Sequence, residues 1–379
     1  MSVYRYFATS VVTGATLATE IPLHVTSFSR NLGGVGQPGQ LNGFLDLGAL
    51  PNQANMLAAL EPRRSLLWAL QDGYPVWAGI VWDWQHQSAA SNQLPIVANE
   101  IGSLFQRRQI RDNLNYVGVD EFDVIRNLIN YATAKTYGGV AQLIMTSNES
   151  GVATSESFPA SNLTKVLEAV NQICTKYSLE YAFDPGLSSS GAPIITLRIG
   201  TAATMGRAYA QTQLQLIFPG NATDYLWPRF GSQGINSMLG IASGSGGVAW
   251  VSNPATHGLD TADLAAGFPL LEDSASYTGS VITAQSGIDA FADSRQALVA
   301  KTPAIGRFSI AGGQTPAVQQ VALGDHAAVI ATSSYHPAGA NGAPGLSVDA
   351  RIIGWTVYPP NEVQQQAEKT DYFLGNVAT

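Results

Sequence analysis

Residues 65–84 read SLLWALQDGYPVWAGIVWDW. Asp72-Gly73 lies between two apolar runs, and this dipeptide is a strong hairpin-turn signal because both positions tolerate a positive φ. The pattern predicts strands over Ser65–Leu70 and Tyr74–Trp84. Successive side chains on a strand point to opposite faces. Trp77, Gly79 and Val81 therefore face one way, and Ala78, Ile80 and Trp82 the other. Both faces are apolar, so both call for cover by other protein. Such a strand suits a barrel wall or a subunit contact.

Working outward, residues 1–103 read mainly as β, with Tyr4–Ser10 and Ile21–Phe28 of strand composition and SRNLGGVGQPGQLNG (29–43) as a loop. Residues 104–200 change character. Asp120 opens DEFDVIRNLINYATAKTYGG. There Phe122, Ile125, Leu128, Ile129 and Ala132 mark one helical stripe, and Gly138-Gly139 stops it. A second helix is expected from near Ser161, with Leu163, Val166, Leu167, Val170, Ile173, Cys174 and Tyr177 as its stripe. Strands LEYAFDP and PIITLRIG follow, around the turn GLSSSGA. This segment reads as an α/β domain inserted between β-rich parts.

Residues 201–300 are rich in Gly, Ser and Ala, with short strands such as Gln213–Phe218 and a glycine loop breaking GIASGSGGVAWVS. A third helix is expected over roughly Ile288–Ala300, ended by Pro303. Residues 301–360 return to strand, as GRFSIA, VALGDHAAVIATS, the long turn HPAGANGAPG and SVDARIIGWTVYP. Residues 361–379 read as a tail that stays loose or docks on a neighbour.

Several function classes fall away on composition and motif. Charged residues are only 12% of the 379 and the net charge is −8. The basic residues are scattered, with Arg63-Arg64 and Arg107-Arg108 the only adjacent pairs, which is unlike a phosphate-gripping surface. One cysteine, Cys174, permits no internal disulfide and reads as a small buried hydrophobe. The N-terminus lacks a cationic region before an apolar run, and no stretch reaches the ~20 apolar residues that span a bilayer.

GVGQPG (34–39) fits the dinucleotide-binding fingerprint in letters only. The stretch after it, LNGFLDLGALP, is a poor helix, and no βαβ unit surrounds it. Asp120, Glu121 and Asp123 sit in a helix's first turn, where carboxylates favour the positive end of the dipole. The histidines His24, His86, His257, His326 and His336 lack zinc-ligand spacing.

In LGDHAAVIATSSYHP (323–337), Gly324 and Asp325 form a turn, and His326 starts an alternating strand. A catalytic Asp325–His326 pair would need a third group and a pocket. No catalytic, cofactor-binding or metal-binding residue is therefore expected.

The order of WALQDGYPVWAGIVWDW, EFDVIRNLINYATAKT, the Ser161–Tyr181 segment ending in LEYAFD, PLLEDS with its following helix, and LGDHAAV beside ARIIGWTVYP resembles the tail-hub proteins of long-tailed bacteriophages. The likeness is strongest to minor tail proteins of phages infecting actinobacteria, and it covers about residues 60–360.

The resemblance implies an α+β, mostly β fold with two barrel-like domains and two inserted domains, assembling as a trimeric ring. The first barrel maps to 1–103, completed by strands near 195–220. The insertions map to 104–200 and 201–300, the second barrel to 301–360, and a tail to 361–379. The implied partners are two sister copies, the tail tube, the distal tail protein, the tape-measure protein and other tail-tip or fibre proteins. Phage DNA would pass through the lumen without specific binding. The implied location is the virion tail tip, after assembly in the host bacterial cytoplasm.

Trp77, Trp82, Trp84, Asp325, His326 and Trp355 are the candidate subunit or tube contacts, since large aromatics are favoured in buried interfaces. The enzyme alternative is a cell-wall glycan hydrolase using Asp120 with Glu121 or Asp123. It needs two carboxylates facing one another across a substrate. A carbohydrate-binding protein would use exposed rows drawn from Trp77, Trp82, Trp84, Trp227 and Trp250.

Overall fold

The computed structural model describes residues 2–34, 36–50, 52–84, 92–228, 235–243, 249–277, 282, 284–299 and 306–375. The glycine loop at 244–248, His86 and the expected helix stop at Pro303 lie outside the described residues.

The 72–73 hairpin forms as its sequence predicts. Asp72 (φ 51°) and Gly73 (φ 88°) both adopt positive φ, the backbone of a type I′ turn. In chain order the first section contains β1 (Tyr4–Ser10), β2 (Thr16–Ala18), β3 (Leu23–Asn31), β4 (Gln40–Asp46), α1 (Gln53–Ala59), β5 (Ser65–Gln71), β6 (Tyr74–Trp84) and β7 (Gln93–Glu100). The first insertion contains α2 (Gly102–Phe105), β8 (Leu114–Asp120), α3 (Glu121–Thr133), β9 (Leu143–Met145), β10 (Ala153–Phe158), α4 (Val166–Tyr177), β11 (Leu179–Leu187) and β12 (Pro193–Thr201). Then come α5 (Tyr209–Thr212), β13 (Leu214–Phe218) and β14 (Ala222–Leu226).

The second insertion contains β15 (Ser237–Ser243), β16 (Ala249–Val251), α6 (Thr261–Ala265), β17 (Glu272–Tyr277) and α7 (Gln285–Val299). The last section contains β18 (Gly306–Ala311), β19 (His326–Ala331), β20 (Leu346–Tyr358) and β21 (Lys369–Gly375). The fold is mostly β, and no described helix is long and apolar enough to cross a membrane.

The strands of both chain ends belong to one 13-stranded sheet, ordered β14-β18-β21-β20-β3-β4-β7-β6-β5-β1-β2, with β13 joined through β19 to β20. The joint is β20, a strand of 13 residues. Its first half pairs with β19 and its second half with β3, while β21 runs along its other edge. The expected pairing of LGDHAAV with ARIIGWTVYP is thus the β19–β20 ladder, with His326 opposite Arg351.

β6 settles the two-faced reading. Trp77 and Val81 enter a large core shared with Phe28, Leu41, Phe308, Val329, Trp355 and Tyr372 of both chain ends. Ala78 and Ile80, with Leu66 and Trp68 of β5, enter a second core built by α3, α4, β11 and β12. The cover on the outer face is therefore the first insertion of the same chain. The α3 stripe holds, with Phe122, Ile125, Leu128, Ile129 and Ala132 all buried.

Three expectations are corrected. The second helix starts at Val166, because Leu163 turns left-handed (φ 48°) and Lys165 forms a β-bridge with Gln109. Leu163 is consequently exposed. The strands near 195–220 do not complete the first section: β12 pairs with β9 and β11, β13 with β19, and β14 with β18. The described part of the expected tail, residues 361–375, is not loose. β21 fills the slot between β18 and β20, burying Tyr372 and Leu374 and bonding Asp371 to Ser309.

Candidate functional site at the strand junction

The first section, the first insertion and the last section meet at a cluster of charges. Arg30 on β3 is buried, and its Nε donates to Glu100 Oε1 at the end of β7 (3.0 Å). Its Nη2 donates to Asp184 Oδ1 and to the Phe183 carbonyl on β11, both at 2.8 Å. Arg198 on β12 holds the other Asp184 oxygen (2.7 Å) and donates to the Leu323 carbonyl (2.9 Å). Burial alone would raise the Asp184 carboxyl, but the charges of Arg30 and Arg198 outweigh it, so Asp184 titrates below the usual carboxylate range. Nearby, Arg351 of β20 grips Glu180 of β11 with two bonds of 3.0 and 2.6 Å. This bidentate geometry is favoured by the planar guanidinium.

The GVGQPG loop serves this cluster and not a phosphate. It leads into β4, with no helix to supply an anion site. Gly39 donates its N–H to Glu100 Oε2 at 2.6 Å. A Cβ on Gly39 would lie 1.9 Å from the Ser29 carbonyl, so only glycine lets the two backbones approach. Gly33 forms a bridge with Tyr181 of β11, which pins the loop to the insertion.

Beside the cluster lies an open groove of about 830 Å³, lined by Arg30, Asp184, Arg207, Trp355 and the amides of Gln211 and Gln320, among others. Charges on its floor are paired, so it offers hydrogen bonds and shape. Among the described residues, no group of three His, Cys, Asp or Glu side chains is placed to hold a metal ion.

The structure disperses the six candidate contact residues. Trp77 and Trp355 are fully buried within one chain, and Trp77 Nε1 donates to the Ser29 carbonyl (2.9 Å). Within one chain both therefore serve the core, with Trp355 also at the edge of the groove. Trp82 is half-buried on the opposite face of β6, where it bonds Ser103 (2.8 Å) and carries the Arg107 guanidinium 4.5 Å above its ring. Trp84 is half-buried against the main core.

Asp325 and His326 do not act on each other. Asp325, fully buried, accepts from the Arg207 backbone (2.9 Å), from Arg207 Nη2 (2.5 Å) and from Ala322 N–H (2.9 Å). His326 Nδ1 lies 3.0 Å from Asp349 on the neighbouring strand. His336 Nδ1 lies 3.0 Å from the Tyr225 hydroxyl.

The Asp325 turn is a clamp between two chain crossings. Gly206 passes so close to Gly324 that a Cβ would lie 1.9 Å from the Gly324 carbonyl. Asp325→Ala is expected to cost about 2–3 kcal/mol, because it strands two backbone N–H groups, of Arg207 and Ala322, and a guanidinium that lose a charged acceptor. Urea unfolding checks this, and Asp325→Asn should lose less.

Two of the three carboxylates of the enzyme alternative, Asp120 and Asp123, make structural contacts. Asp120 caps α3 through Phe122 N–H and also accepts from Ser150 N–H, Ser150 Oγ and Gly151 N–H. Burial works against these bonds, yet together they hold its carboxyl below the usual range. Asp123 pairs with Arg126 at 2.8 Å. Cys174 is buried, and burial pushes its thiol well up, out of the range of a nucleophile.

Arg30, Glu100, Asp184, Arg198, Glu180 and Arg351 escaped sequence reasoning. Their one local signal is a charge set inside an apolar strand, as in YAFDP, TLRIG and ARIIG.

No protein-family model matches the chain, and no curated protein matches it in sequence. Solved structures do match its fold. The chain is similar to a prophage MuSo2 43 kDa tail protein from Shewanella oneidensis, at TM-score 0.60 and 10% identity over 98% of both chains. It is similar to a tail protein from Neisseria meningitidis MC58, at TM-score 0.56 and 12% identity over 98% of this chain and 96% of that one. It is also similar to prophage tail protein gp18 from Listeria monocytogenes EGD-e, at TM-score 0.54 and 9% identity over 99% and 95%. The likeness is one of fold and spans the whole chain.

Proposed function

We propose that this chain is a structural protein of a phage tail, three copies of which close into a ring at the tail tip. The observation that carries the reading is the end-to-end likeness of fold to three tail proteins, two of them prophage tail proteins. In this reading the two β-rich ends are barrel-like domains that together face the tail tube, and the ring joins the tube and distal tail protein to the tip. The order of sequence motifs favours the minor tail proteins of actinobacteriophages.

The physical design supports a scaffold. Both chain ends share one sheet and one core, so load applied to either passes through β20 and β3. Ion pairs lock the first insertion onto that joint. A net charge of −8 disfavours phosphate contacts, so DNA threading the ring would meet little binding. Function then comes from assembly and opening, with no covalent chemistry.

Imaging an intact particle tests the reading. Three copies ringed about the tail axis at the tip are expected, and a single copy elsewhere on the virion would overturn it. Light scattering of the purified chain should show about 120 kDa where the ring is stable alone, from a chain of 40.0 kDa. Clearing of host cell walls in a zymogram would point to the hydrolase instead.

A further inference from the structure

The second insertion carries an apolar run that the described residues leave uncovered. Phe268, Leu270 and Leu271 are 58%, 54% and 40% exposed, and Pro269 between them is exposed too. Three large apolar side chains within four residues form a patch, which is a different matter from scattered surface hydrophobes. The run leads directly into β17, which among the described strands is bonded along one edge only, to β15. At β17 the Asp273 carboxylate accepts the Ser274 N–H at 2.7 Å. A carboxylate beside the strand discourages an added strand, so the surface is suited to side-chain contact.

The charge of this insertion selects the partner. Residues 235–299 contain one basic side chain, Arg295, and six carboxylates: Asp260, Asp263, Glu272, Asp273, Asp289 and Asp293. With His257 neutral that is a net −5 of the chain's −8. Four of the six lie within eight residues of the apolar run, and Glu272 and Asp273 are exposed at its end.

A second copy docking by the same patch would set these carboxylates against each other, and like charges juxtaposed across an interface oppose binding. A cationic surface gains apolar burial and a paired rim together. We propose that the face around Phe268–Asp273 docks a cationic protein segment with apolar side chains between its basic ones. The inference is read from this chain's own surface and does not rest on the tail reading.

The test uses the full chain and a labelled twelve-residue peptide alternating lysine and valine, with a glutamate–valine peptide as control. Fluorescence anisotropy should show the cationic peptide binding and the anionic one not. Phe268→Ser with Leu270→Ser should weaken binding at least tenfold, and Glu272→Lys with Asp273→Lys should do the same. Unchanged circular dichroism is expected, because all four side chains are exposed. Raising salt to 0.5 M should weaken wild-type binding by a similar factor. Equal binding of both peptides, or wild-type affinity in either double variant, would overturn the proposal. So would concentration-dependent dimerisation of the wild type that the Phe268→Ser, Leu270→Ser variant abolishes, since the occupant would then be a second copy.

Discussion

Trp77→Ala is expected to lower the unfolding free energy by about 4 kcal/mol, the scale of removing a large buried aromatic without refilling its space. Trp77 is fully buried in the main core, and its indole N–H is spent on the Ser29 carbonyl of β3. The substitution therefore opens a cavity and strands an acceptor in one step. Gly79 makes collapse of the cavity difficult, because its Cα already packs between the Trp77 ring and the Asn99 carbonyl; a Cβ there would lie 2.4 Å from each. The half-buried Trp84, two residues beyond Trp82 on the same strand, supplies the control. Trp84→Ala should cost well under half as much, since part of its surface already meets water. Urea midpoints of the two variants check the difference. Equal losses would mean that β6 is not the wall between two cores.

That wall was legible because its signals are local. Asp72-Gly73 fixes the turn, and two apolar faces in alternation demand two covers. The α3 stripe was legible for the same reason, since Phe122 to Ala132 repeat at the helical period. What covers the outer face of β6 was not legible, because the answer lies in packing between β6 and elements some hundred residues further on, such as β11.

β21 was missed for a different reason. The polar stretch EVQQQAE (362–368) precedes it, and the buried Asp371 within β21 looks like a surface residue until Ser309 is seen to bond it. The charge cluster was hidden most deeply. Arg30 reaches Glu100 across 70 positions and Asp184 across 154. Each charge alone reads as an ordinary solvated side chain, and only tertiary contact turns it into a joint.

Arg30→Met therefore carries the other large expected effect, a loss of about 3–5 kcal/mol. Methionine keeps much of the volume, but the buried Glu100 loses its cation, and removing one partner of a buried pair leaves an uncompensated charge. Glu100→Gln added to Arg30→Met should recover part of the loss, because the amide oxygen still accepts from Gly39 N–H while the stranded charge is gone.

Acid supplies a second readout. The Asp184 carboxyl is depressed in the folded state by Arg30 and Arg198. A depressed carboxylate contributes stability that is complete above its unfolded pKa of about 3.9 and is lost as pH falls through the folded value. Arg30→Met removes one of the two depressing charges and moves the folded value back up. The variant's stability should then fall less steeply below pH 4 than that of the wild type, even though it starts lower at pH 7. Parallel acid limbs would show that Arg198 alone sets the Asp184 carboxyl. In that case Arg30 would hold only the Glu100 end of the joint, and the first insertion would be locked to the sheet by Arg198 and Arg351.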